Sequence, residues 1–129
     1  MPFSLRRTAL AGAPTVRRLK TYSAQSGYVY HYFYEGYRAF RERSEAGLEF
    51  VFHISADRKQ WSDLSVYLPT DATAPWETSH SRQLSATERY AVAKLALFQA
   101  FDERTPAQMK PPVHVRAADA QALLDTLDL

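Results

Sequence analysis

Hydrophobic and polar residues alternate along three stretches of the chain, and each alternation predicts a strand. Tyr28 to Glu35 reads Tyr-Val-Tyr-His-Tyr-Phe-Tyr-Glu. Aromatic and β-branched side chains at that density suit a pleated surface. Leu48 to Ala56 sets Leu48, Phe50, Phe52 and Ile54 on one side and Glu49, Val51, His53 and Ser55 on the other, the period of two of a half-buried strand. Leu64, Val66 and Leu68 then alternate with Asp63, Ser65 and Tyr67 until Pro69 stops the ladder. Val16 to Tyr22, where basic residues interrupt branched and aromatic ones, predicts a fourth strand at a sheet edge. The connections are short, so an antiparallel meander is the economical arrangement. Pairing Ile54 with Leu64, Phe52 with Val66 and Phe50 with Leu68, and Tyr32 with Phe52 and Tyr34 with Phe50, keeps every even residue on one face.

Residues 69–84 are rich in Pro, Thr, Ser and Asp and read as a long loop, as residues 39–46 read as a polar connection. Ser85-Ala86-Thr87-Glu88 has the spacing of a capping box and predicts a helix to about Arg104, with Pro106 beyond it. The apolar set of this helix (Tyr90, Ala91, Val92, Leu95, Leu97, Phe98, Phe101) is wide and demands a large surface, which the even face of the sheet supplies. Pro111 to Arg116 reads as extended, and Asp119 to Leu127 as a short amphipathic helix. The predicted fold is α+β: an antiparallel β-meander of three or four strands packed on one long α-helix, with a short C-terminal helix. Residues 1–129 form one domain, with residues 1–15 as an irregular basic N-terminal arm.

Composition narrows the chemistry. The 129 residues include no cysteine, so disulfides, zinc–thiolate sites, iron–sulfur clusters and cysteine nucleophiles are excluded. No run approaches the roughly 18 consecutive apolar residues of a membrane helix, and no secretory apolar run follows Arg6 and Arg7. The expected location is cytoplasmic, with no membrane partner. The net charge of +2 is unevenly spread: residues 1–45 carry eight basic and three acidic side chains, and no acid precedes Glu35. An arginine-rich, acid-free start suits either an organelle presequence or a basic arm, and the arm is the reading adopted. Walker, dinucleotide, kinase and HExxH signatures are missing.

The second face of the sheet is the most informative feature. It holds Val29, His31, Phe33, Val51, His53, Ser65 and Tyr67, which is very apolar for a solvated surface. The same face of a second chain, residues 1–15 or the terminal helix of the same chain, or a ligand are the competing occupants. Val29, His31, Phe33, Val51, His53 and Tyr67 are the candidate interface residues. His31 and His53 fall close together in the inferred pairing, but two imidazoles do not complete a metal site, so no metal and no cofactor is assigned.

A second candidate is the segment Trp76-Glu77-Thr78-Ser79-His80-Ser81-Arg82. Trp76, Glu77, His80 and Arg82 offer an aromatic platform, a carboxylate, an imidazole and a guanidinium to a polar or anionic ligand. A nucleophile–base pair between adjacent Ser79 or Ser81 and His80 is disfavoured by geometry, and no catalytic residue is assigned. The run Tyr28, Tyr30, Tyr32, Tyr34 with Arg17, Arg18, Lys20, Arg38, Arg41 and Arg43 raises a nucleic-acid alternative, although tyrosines facing a long apolar helix are better read as core. The preferred expectation is a small non-enzymatic protein-interaction module that self-associates as a homodimer through the second sheet face. The alternatives are a nucleic-acid-binding module using the basic first third, and a small-ligand binder or enzyme centred on residues 76–82.

Overall fold

The computed structural model describes residues 9–129. The fold is α+β, with a curled five-stranded sheet in the order β1-β2-β3-β4-β5. The strands are β1 (Lys20–Ser23), β2 (Val29–Glu42), β3 (Glu45–Ser55), β4 (Ser62–Pro69) and β5 (Val113–His114). The first four form an antiparallel meander, and β5 joins β4 in parallel. Three helices, α1 (Thr70–His80), α2 (Ala86–Glu103) and α3 (Ala117–Leu127), are packed against the sheet and one another.

The even face is the core face, as the alternation requires. Phe50, Phe52, Ile54, Leu64, Val66 and Leu68 are buried beneath the helices, together with Tyr30 and Tyr32. Tyr30 stacks on Phe101 of α2 at 4.3 Å between ring centroids, and Tyr22 stacks on Phe98 at 4.2 Å. The tyrosine run is therefore largely core and not a base-stacking platform, with Tyr28 its exposed end. Helix α2 begins where its capping box lies: Glu88 N donates to Ser85 Oγ at 3.1 Å, and Ser85 N donates to a Glu88 carboxylate oxygen at 2.8 Å. Its buried residues Val92, Ala93, Ala96, Leu97, Ala100 and Phe101 recur at helical spacing along one stripe.

Four features depart from the sequence reading. The segment 69–84 is not a loop, because Thr70–His80 is helix α1. Its weak propensity is overridden by burial of Ala72, Thr73 and Trp76. Pro75 removes only the amide that would bond Asp71, an exposed residue whose carbonyl water can serve. The connection expected over 39–46 is instead two paired strands closed by a tight turn at Arg43 (φ 53°) and Ser44. Backbone ladder bonds hold this hairpin without an alternating side-chain pattern to announce it. The pairing is also shifted by two residues: Phe52 lies opposite Leu64, Phe50 opposite Val66 and Leu48 opposite Leu68, with Tyr32 opposite Ile54 and Tyr34 opposite Phe52. A shift of two preserves every face. The β3–β4 turn is set by Asp57 Oδ1, which accepts from Lys59 N at 2.8 Å and Gln60 N at 2.9 Å.

The fourth departure is a bulge. The ladder slips between Tyr34 and Gly36, so that Tyr37 lies opposite Phe50 and Arg38 opposite Glu49. Beyond Glu35 the parity of β2 is therefore inverted: Tyr37, Ala39 and Arg41 face the helices, while Arg38 and Phe40 join the second face. Gly36 permits this with φ 125°, and a Cβ there would stand 2.5 Å from the Ala11 carbonyl oxygen. Ala11 pairs with Tyr37 in an isolated antiparallel bridge, with Ala11 N to Tyr37 O at 2.7 Å and Tyr37 N to Ala11 O at 2.9 Å. Residues 1–8 of the expected basic arm lie outside the described residues.

Candidate binding surfaces

The sequence-based interface residues share the second face as expected, but not equally. Val29 is 44% exposed, His31, Phe33, His53 and Tyr67 are half-buried, and Val51 is only 4% exposed. The terminal helix does not cover this face, since α3 packs on α1 and α2. His31 and His53 are not cross-strand partners: His31 lies opposite Ser55, and Phe33 opposite His53. His53 stacks on Trp61 at 5.2 Å with an 11° interplanar angle, and its Nδ1 lies 2.7 Å from Asp63. Trp61 also meets Phe33 at 5.4 Å. Arg17 lies over Phe33 at 4.1 Å and pairs with Glu35 at 2.8 Å. Among the described residues, no three metal-ligating side chains cluster.

Toward the far end the same face becomes a polar network. Arg38 Nε donates to Glu49 at 2.9 Å, and Ser65 Oγ donates to the same carboxylate at 2.5 Å. The hydrogen bonds to Glu49 hold the Arg38 guanidinium above its ordinary pKa. Tyr67 meets Phe40 edge-on at 4.9 Å, and His114 Nε2 lies 2.6 Å from Glu45. His31 Nδ1 is buried without a hydrogen-bond partner, which an unprotonated ring nitrogen tolerates better than an N–H does.

Trp76, Glu77, His80 and Arg82 come together at the α1–α2 junction, where they satisfy groups of the chain itself. Trp76 is buried, His80 stacks on it at 4.0 Å, and the Arg82 guanidinium lies 4.9 Å from its ring centre. Arg82 binds both oxygens of Glu88, at 2.8 and 2.9 Å. Glu77 Oε2 accepts from Leu84 N at 2.8 Å and from Arg89 Nη2 at 2.9 Å. His80 Nδ1 lies 2.8 Å from the Trp76 carbonyl oxygen. A carbonyl only accepts, so that nitrogen carries the proton. It is therefore not a base for Ser79, although Ser79 Oγ is 3.1 Å away.

A hollow that sequence reading missed lies beside this junction, under the projecting β2–β3 hairpin. Tyr34, Tyr37, Leu48 and Phe50 floor it from the sheet, and Thr87 and Tyr90 wall it from the first turns of α2. It encloses about 530 Å³. A second hollow of about 530 Å³ adjoins it, sharing Leu48 and Arg89 and continuing past Ala39, Arg41 and Ala46 to Thr73 and Glu77. Tyr34 and Tyr90 rings sit 4.6 Å apart, and burial pushes both hydroxyls above the ordinary tyrosine pKa, so they are neutral phenols at pH 7. The missed signal is Gly36, since inversion at the bulge brings Tyr37, Ala39 and Arg41 to this side. No protein-family model matches the chain, and neither a curated protein sequence nor a solved structure does.

Proposed function

We propose that the chain is a non-enzymatic interaction module that self-associates through the β1 side of its second sheet face. The observation that carries this reading is the pair Leu19 and Val29, each 44% exposed at opposite ends of the β1 ladder. Between and behind them lie His31, Phe33, His53 and Trp61, an aromatic strip in which Phe33 and His53 both pack on Trp61. Exposed apolar side chains grouped beside half-buried aromatics are a common mark of an interface. Arg17, spread over Phe33, has its charge met by Glu35, so two such faces meet without bringing unpaired cations together. Pairing through the β1 edge is the weaker option, because Arg18 and Lys20 set like charges along it. The catalytic alternative at residues 76–82 loses support, since those polar groups are engaged with one another.

The test is sedimentation across a concentration series, with Val29→Asp as the variant. Val29 is exposed, so the variant keeps the fold. The wild-type chain is expected to sediment as a dimer and the variant as a monomer. A monomeric wild type at 100 μM, a high concentration for a specific interface of ordinary size, sinks the proposal.

A further inference from the structure

We infer that the trough under the β2–β3 hairpin is a binding site for an elongated aryl carboxylate, with the ring among the tyrosines and the carboxylate at Arg41. One end is aromatic: Tyr34, Tyr37, Phe50 and Tyr90 line about 530 Å³ of space, and pockets of this size and lining hold small organic molecules. Those three tyrosine hydroxyls have no hydrogen-bond partner among the described residues, so a ligand acceptor has donors waiting for it. The other end carries a surplus of positive charge. Arg41, Arg89 and Glu77 line it; Glu77 neutralises Arg89, whereas Arg41 has no ion-pair partner among the described residues. An anion is therefore the charge complement of that end. The spacing sets the ligand's length. Tyr37 and Arg41 lie on one strand and one face, four residues apart, or about 13 Å at the rise of a β-strand. That interval, from the tyrosines to the strand position of Arg41, matches a fused ring bearing a short alkanoate chain.

The site stands on the helix side of the sheet and is independent of self-association through the opposite face, so Val29→Asp is expected to leave it intact. The probe is 1-pyrenebutyrate, with 1-pyrenebutanol as its uncharged counterpart, followed by fluorescence at low salt. Saturable one-to-one binding of the carboxylate is expected, about threefold tighter than the alcohol, the gain of one exposed ion pair. Arg41 is exposed at the open end of the trough, so Arg41→Gln is expected to keep the fold and to abolish that difference while leaving alcohol binding unchanged. Thr87→Trp, on the exposed side of the first turn of α2, is expected to fill the aromatic end and block both probes, with the circular dichroism spectrum and the melting temperature retained. Absence of saturable binding, binding indifferent to Thr87→Trp, or equal affinity for the two probes would each overturn the inference.

Discussion

The Glu77 carboxylate and the Arg89 guanidinium meet at 2.9 Å across the α1–α2 junction, and the same carboxylate oxygen receives the Leu84 amide at 2.8 Å. One side chain thus fixes the end of α1, the linking segment and the second turn of α2. Leu84 is buried, so its amide has no ready water to replace Glu77. Glu77→Ala is expected to destabilise the fold by ~1–3 kcal/mol, the cost of stranding a buried donor. Glu77→Gln is expected to cost less, because its amide oxygen still accepts from Leu84. Urea midpoints at constant m-value check both, and equal midpoints for the wild type and Glu77→Ala would refute the junction's role.

The bulge rests on Gly36 in the same concrete way. An alanine there meets the Ala11 carbonyl oxygen at 2.5 Å while held at φ 125°, so Gly36→Ala is expected to cost ~1–3 kcal/mol or release the Ala11 bridge. Gly27 is the control: φ is 97°, but nothing lies within 4 Å of its Cβ position. Hydrogen exchange reads the outcome directly. The Ala11 and Tyr37 amides are expected to lose protection in Gly36→Ala and keep it in Gly27→Ala.

The core face was legible because burial and alternation coincide there. Phe50, Phe52 and Ile54 point under α2 for the reason that their neighbours Val51 and His53 do not, and a two-residue register error leaves that conclusion untouched. Helix α1 was illegible because its information is tertiary: Trp76 and Ala72 find a core that Thr70, Asp71 and Pro75 do not advertise. The trough was hidden for a related cause. Tyr37 and Arg41 belong to its lining only because one residue, Glu35, is left unpaired in the ladder, and an insertion of one residue reverses every side chain after it. Trp76, Glu77, His80 and Arg82 were expected to offer their groups to a ligand, and sequence spacing does not reveal that the chain itself supplies partners for them.

The capping box gives the fold an acid-sensitive latch. Arg82 and the Ser85 amide hold the Glu88 carboxyl down to about 2, from an ordinary value of 4.5. A depressed folded-state pKa stabilises the fold above the unfolded value, and that contribution is lost as pH falls from about 4.5 through about 2. Melting temperatures between pH 6 and pH 2 are therefore expected to fall more steeply for the wild type than for Glu88→Gln. Arg82→Ala is expected to raise the Glu88 pKa in an NMR titration. A Glu88 carboxyl that titrates at its ordinary value in the wild type would exclude the latch.

At the alkaline end the core tyrosines set the limit. Burial pushes the Tyr32 hydroxyl up to about 12, with a smaller contribution from Tyr90, and raises Tyr30 and Tyr34 in the same direction. Here the folded state favours the protonated phenol. Its stabilisation is complete below pH 10, the ordinary tyrosine value, and is lost as pH rises through about 12. Absorbance at 295 nm is therefore expected to rise in two stages. The later stage belongs to the rings raised by burial, Tyr30, Tyr32 and Tyr34, and coincides with loss of the circular dichroism signal. Tyr32→Phe removes a phenol from the second stage and is expected to shift alkaline unfolding upward. If all eight tyrosines titrate together near pH 10 with the fold intact, Tyr30 and Tyr32 do not lie beneath α2, and the even face is not the core.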